Sequence, residues 1–550
     1  MNGSNADADF EQLARATLDD VLERHPEAAT QLGDHRFDDR LSDPRPEALE
    51  DERRAVSGHL ATLEQIDVAQ LDATNRVDAE ILATQLRQLL FDLEELREHE
   101  WNPLLGNPGD AVYPLLARES APLPDRLRAI AGRLGGVPEH LDAVRANLRD
   151  MPRVHVETAL GQFAGAAGLI AGEIDAALEE APAMRAEIDA VRPAALEALE
   201  EHSAWLKGRL EGAERDPRIG AELFARKLAY ALDAATGADA ILRRAEEDLE
   251  DVQQRIAEVA SRIAGEAAST DGLVRKMLDR LADDALTDDT IVPAATKAFE
   301  EAAEFTRSER IVSAFDDPVD IIEMPEIHRG VAVAYCDPPG PLETANLPTF
   351  FAISPTPEDW PPERVRSFYR EYNAHLVHNL AIHEGVPGHV LQLGHWRRFR
   401  APTDVRAAFW SGSFVEGWAV YSEERMAEHG YRDDALRMQQ LKMQLRMTIN
   451  AILDARVHAH GMTENEAMRL MIDRGYQEEG EAVGKWRRAL LTSSQLSTYY
   501  VGYTEWDDLM REFRAARPDL TEQQAHDLAL SFGSPSPRHL RSLLLDGSTA

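Results

Sequence analysis

The chain has 550 residues, and 98 acidic against 59 basic side chains leave a formal net charge of −39. Such a surface is repelled by phosphate backbones and anionic lipid, which argues against nucleic acid and membrane surfaces as partners. Hydrophobic residues make up 44%, enough for a core, and the single cysteine, Cys336, excludes a disulfide framework and a cysteine-rich zinc site.

The opening residues, Met1 to Asp9, lack the basic and apolar regions that export requires, and no run of about 18 apolar residues follows. A soluble cytoplasmic protein is therefore expected. A helical period begins with Leu82, Leu86, Leu89, Leu93 and Leu96, and further helices are predicted over 126–149, 156–180 and 184–213. Asp216-Pro217 then marks a turn. It supplies a soft boundary between an N-terminal helical region, 1–215, and a second one, 216–550, within one body.

The second region opens with Leu242, Ala245, Leu249, Val252, Ile256, Val259 and Ile263, a three-four alternation that fits an internal helix pair better than an intermolecular coiled coil. More helices are expected over 293–308, 363–384, 402–429, 433–460, 463–476 and 521–532. Between them Val331–Tyr335 and Thr349–Ser354 read as a small strand pair, separated by the Pro- and Gly-rich Asp337–Pro341. The fold class is thus mainly α with a small β insertion just before the segment that carries chemistry. An exposed edge such as Thr349–Ser354 offers a seat for an extended peptide.

That segment is His383-Glu384-Gly385-Val386-Pro387-Gly388-His389. In the familiar zinc motif, two histidines four residues apart share a helix face, and the acid beside the first activates water. Here the spacing is six, which leaves the imidazoles roughly 120° apart on a regular helix. Pro387 has no N–H for the carbonyl of His383, and Gly388 tolerates unusual dihedrals, so a widened turn is predicted to bring His389 back beside His383. The plain alternative is a helix that ends at Pro387 with two unrelated histidines. A third ligand is offered by Glu416 or Glu423, seven apart on one otherwise apolar helix face, where a carboxylate needs a metal or a donor. Glu416 is assigned as ligand and Glu423 as its support or a substrate contact, with the reverse open. His375, His378, His395 and His460 are set aside as packed or solvated.

With Gln392 added, the segment resembles the His-Glu-x-x-Pro-Gly-His-x-x-Gln signature of the bacterial domain-of-unknown-function 885 family, a group similar to the gluzincin metallopeptidases. Glu416–Tyr421 is similar to that family's Glu-Gly-Trp-Ala-x-Tyr, Asp454–His458 to its Asp-x-x-x-His, and Gln495–Gly502 to its Gln-x-x-x-Tyr-x-x-Gly. Two departures stand out: Ser493-Ser494 replaces a usual Pro-Gly, and Arg456 replaces a small residue.

The resemblance implies a large helical, gluzincin-like metallopeptidase whose zinc ion is held by His383, His389 and Glu416. Glu384 is the expected general base. Tyr499, or the adjacent Tyr500, and His458 are candidates to stabilise the oxyanion. Asp454 and Gln392 are expected to support the site or touch substrate. A peptide or small amide is the implied substrate. Hydrolysis of a non-peptide amide or ester, and an inactive helical binding protein, are the alternatives; oligomeric state is unreadable.

Overall fold

The computed structural model describes residues 6–234, 236–325, 329 and 332–546. Helix accounts for 72% of the structure and strand for 3%, so the chain is mainly α. It divides into two units near Pro217.

The first unit comprises the described residues up to Pro217 together with Pro339–Leu347 and Arg400–Phe409. Its centre is the packing of α1 (Leu123–Asn147) on α2 (Arg185–Arg209), where Ile130, Leu134, Leu141, Leu199 and Leu206 are buried. Two later segments join it through specific contacts. Gly340 packs so closely that a Cβ there would lie 2.1 Å from the backbone carbon of Leu32. Arg406 pairs with Asp78 at 2.5 Å, both buried, while Thr403 Oγ1 donates to the same carboxylate at 2.6 Å. A buried charge needs such compensation, and here it ties a distant segment in place. Hydrophobic periodicity carries no signal for either excursion, because each is held by one or two polar or close contacts.

The second unit is built around α3 (Ala238–Ala264) and α8 (Asp434–His460), with α4 (Asp288–Glu309), α5 (Ala374–Leu380), α6 (His389–Arg398), α7 (Gly412–Glu428), α9 (Glu479–Leu491) and α10 (Ser497–Ala516) beside them. The seam of α3 is buried from Ile241 through Ala245, Leu249, Val252, Ile256 and Val259, and α8 of the same chain covers it. Gly265 then stops the helix at φ 71°, where an L side chain would be strained. α8 itself is buried on nearly all sides, which makes it the hydrophobic axis of this unit.

The expected strand pair is one part of a three-stranded sheet. β1 (Val319–Glu323) runs parallel to β3 (Thr349–Ile353), and β2 (Ala334–Asp337) runs antiparallel to it, giving the order β1-β3-β2. Val331, where the first strand was expected to begin, lies outside the described residues. β1 was not expected, since Val319-Asp320-Ile321-Ile322-Glu323 lacks clean alternation. The consequence is a correction: β3 is central, with partners on both sides, so Thr349–Ile353 has no free edge to seat a peptide.

The helix expected over 363–384 is in three pieces. Pro362–Glu371 ends at Tyr372; Asn373 then caps α5, its side-chain oxygen accepting from His375 N at 3.1 Å and Leu376 N at 3.3 Å. The last turn, Ala381–Gly385, widens into a π-turn. The single helix expected over 402–429 is likewise split, with only Gly412–Glu428 carrying the acids of interest.

Candidate metal centre

The π-turn and the break after it together solve the spacing problem. One extra residue is absorbed in Ala381–Gly385, the chain then leaves helical geometry over Val386-Pro387-Gly388, and α6 starts afresh at His389. Gly388 N donates to Ile382 O at 3.0 Å, and a Cβ on Gly388 would lie 2.0 Å from His383 O. Only glycine fits there. From the other side, the buried indole of Trp418 donates to Pro387 O at 2.8 Å. The widened turn packs on α4, where a Cβ on Gly385 would meet the Phe299 ring at 2.6 Å.

These constraints set the two imidazoles nearly perpendicular, with ring centroids 4.8 Å apart. His383 Nε2 and His389 Nε2 each stand 3.4 Å from Glu416 Oε2, and one donor atom from each of the three residues lies within 4.8 Å of the others. These approaches are ion-pair distances. Among the described residues, the buried Glu416 Oε2 has no hydrogen-bond partner. Ligands about 2.05 Å from a tetrahedral zinc ion stand about 3.3 Å apart, so the two histidine–Glu416 separations and the donor set fit a divalent cation.

Glu423 holds the first histidine in position. Its Oε1 lies 2.6 Å from His383 Nδ1 and its Oε2 accepts from Asn379 Nδ2 at 2.7 Å, with Glu423 and Asn379 both buried. Such a bond fixes the tautomer that leaves Nε2 free as a ligand. Burial favours a neutral His383, but contacts with Glu416 and Glu423 outweigh it and hold its pKa well above the ordinary value. Glu416 shows the reverse balance: burial pushes its pKa up, yet the two imidazoles draw it well below the carboxylate range. Glu384, half-buried, makes no hydrogen bond or ion pair among the described residues and lies within electrostatic reach of His383.

Tyr499 stands in the first turn of α10. Its hydroxyl accepts from Arg488 Nη2 at 3.2 Å and Gln495 Nε2 at 3.4 Å. Burial and then the Glu416 carboxylate push its pKa up against the pull of Arg488, so the phenol keeps its proton.

The other residues singled out by sequence lie elsewhere. Tyr500 is buried and donates to Asp248 Oδ2 on α3 at 2.6 Å. The His458 ring stacks on Phe224, and its Nε2 faces Ala489 O at 2.9 Å and Thr492 O at 2.8 Å, which commits its proton to the end of α9. Asp454 accepts from Ser494 N and Ser497 N, each at 3.0 Å, and so caps the helix that carries Tyr499. Gln392 donates to Ser534 Oγ at 2.8 Å. His375 faces Asp284, His378 faces Tyr431, His395 packs on Phe315, and His460 is exposed. Asn379 and Arg488 were missed. Asn379 is four residues before His383 and shares its face, a signal that was present but is common in helices.

The family model for bacterial proteins of unknown function (DUF885) matches residues 26–544. The chain belongs to this family. Two solved structures are similar to it over nearly their whole length. A candidate lipoprotein of unknown function from Shewanella oneidensis is 29% identical with a TM-score of 0.82, covering 98% of this chain and 99% of that one. A candidate lipoprotein from Colwellia psychrerythraea is 15% identical with a TM-score of 0.79, covering 99% of each chain, and shares the fold. No protein of curated function matches the DUF885 chain described here. Among the described residues, no helix is long and apolar enough to cross a membrane.

Proposed function

We propose that this DUF885 protein is a gluzincin-like, zinc-dependent peptidase. The observation that carries the reading is the convergence of His383 Nε2, His389 Nε2 and Glu416 Oε2, with the unpartnered Glu384 adjoining them in sequence. His383, His389 and Glu416 would hold the ion, which when bound supplies a Lewis acid and acidifies water.

The chain's own residues account for the remaining steps. Glu423 orients His383 and stabilises the charge that gathers on it. Glu384 accepts the proton of the attacking water and delivers it to the leaving amine nitrogen. Tyr499 accepts two hydrogen bonds, from Arg488 and Gln495, so its own O–H proton is free to point at the oxygen of the attacked carbonyl. α10 aims that phenol, and Asp454 holds the first turn of α10.

The test is metal analysis of the purified protein, followed by digestion of a peptide library by wild type and Glu384→Gln. Retained zinc with hydrolysis lost in the variant supports the reading. Unchanged turnover removes Glu384 as the base, and a protein that neither retains zinc nor cuts peptides rejects the peptidase.

A further inference from the structure

Behind Tyr499 lies a buried cluster in which cations outnumber anions. Lys442 Nζ donates to Glu371 Oε2 at 2.8 Å, and both residues are buried. Arg446 pairs with Glu481, and the Tyr372 hydroxyl donates to that same carboxylate at 3.0 Å. Two carboxylates are thus answered by two cations. Two further cations stand beside them, Lys485 and Arg488, three residues apart on one face of α9.

Neither has a carboxylate partner among the described residues. Arg488 spends Nη2 on the neutral Gln495 and Tyr499, which leaves Nε and Nη1 as separate single donors. Lys485 is 6% exposed and makes no hydrogen bond or ion pair among the described residues. Burial first, and then Arg446 and Arg488, press its pKa well below the ordinary lysine value, with Glu371 opposing them. In a chain with a net charge of −39, a buried lysine beside a half-buried arginine, neither with a carboxylate partner, is costly unless something brings an anion to them. Arg488 shares the phenol of Tyr499, which in turn lies within electrostatic reach of Glu416.

We propose that Lys485 and Arg488 bind the C-terminal carboxylate of a peptide, so that this protein removes residues from the carboxy end of its substrates. The proposal rests on the hydrolytic reading of the metal centre and adds its direction. A single carboxylate suits the site: one oxygen can accept from Arg488 Nη1 and the other from Lys485 Nζ, and one negative charge suffers less repulsion from an acidic surface than a phosphate would. With Arg488 3.2 Å from the Tyr499 hydroxyl that would face the attacked carbonyl, the anchor places the cut bond one or two residues from the C-terminus, given about 3.5 Å of chain per residue.

The experiment uses the purified metal-containing protein and one random hexapeptide library, made with free C-termini and again as C-terminal amides. Cleavage is read by mass spectrometry. The expected result is loss of one or two residues from the free acids, with the amides about 100-fold slower. Lys485→Met should lower kcat/KM on the acids by about 100-fold through KM and erase the difference from the amides. Lys485→Met should also raise the melting temperature, which shows that it folds. Equal cleavage of acids and amides at internal bonds overturns the carboxylate site and leaves the peptidase reading intact. If neither library is cut, the peptidase reading falls and calorimetry decides the carboxylate site. Preferential binding of acetyl-tetraalanine over its amide, lost in Lys485→Met, supports the site; equal binding overturns it.

Discussion

Gly417 and Gly502 meet backbone to backbone where α7 crosses α10. A Cβ on Gly417 would stand 2.4 Å from the carbonyl carbon of Gly502, and a Cβ on Gly502 would stand 2.2 Å from Ser413 O. The crossing fixes how near Glu416, the neighbour of Gly417, comes to Tyr499 on the facing helix. Gly417→Ala and Gly502→Ala should each destabilise the protein by about 3 kcal/mol, because backbone and not a flexible side chain must move. Urea unfolding checks this. Zinc affinity should fall in both variants while the helical circular dichroism persists.

Glu423 makes a second prediction. Removing its charge leaves His383 without the acceptor that selects its tautomer. Glu423→Gln should fold, retain the Asn379 contact through its amide oxygen, and bind zinc ten- to a hundredfold more weakly. Competition with a chelating dye measures the change; affinity equal to wild type would show that His383 needs no such partner.

Ser494 occupies left-handed backbone, at φ 69°, where the resemblance leads one to expect glycine. Its amide donates to Asp454 from that conformation, so the turn is used despite the serine. Ser494→Gly should stabilise the protein by about 1 kcal/mol, whereas Ser494→Ala should not. Thermal unfolding of the pair separates backbone relief from loss of the hydroxyl.

Two histidines, one in each unit, make stability depend on pH. His202 lies between Phe163 and Trp205 with both nitrogens buried and without hydrogen-bond partners among the described residues. His526 accepts from Tyr421 Oη at 3.1 Å and donates Nδ1 to Ile311 O at 2.8 Å. Burial pushes each down to about 4. Between about 6.5 and 4 the unfolded chain therefore binds more protons than the folded one, and stability falls as pH falls through that window, by up to about 3 kcal/mol per residue. Melting temperatures from pH 4 to 8 should show a decline below about 6.5, and His202→Leu should flatten it.

Much of this molecule could be read directly from the order of its residues. The three-four run from Leu242 to Ile263 announces α3, and the alternation of leucines after Leu82 announces a helix, because burial of one stripe leaves a local signature. The site was partly legible for the same reason: His383, Glu384 and His389 stand close in sequence, and Glu416 sits on an otherwise apolar face. What failed were readings that assumed a fixed partner. Thr349–Ile353 looked like an edge because Val319–Glu323, its other neighbour, has a weak pattern. His458 and Tyr500 looked available for chemistry, but the carbonyls of Ala489 and Thr492 and the carboxylate of Asp248 claim them.

Sequence alone determined the helical class, the breaking of the helix at Pro387-Gly388 and the chemical kinds of donor at hand, since periodicity, a missing N–H and side-chain type are local properties. Only the tertiary structure decided that His389 returns to His383 through a π-turn and a break, that Glu416 faces both rings while Glu423 stands behind one, and that Lys485 and Arg488 lack counter-charges. These are distances between segments far apart in the chain. They are set by close contacts such as Gly388 on His383 and Gly417 on Gly502, which no local pattern records.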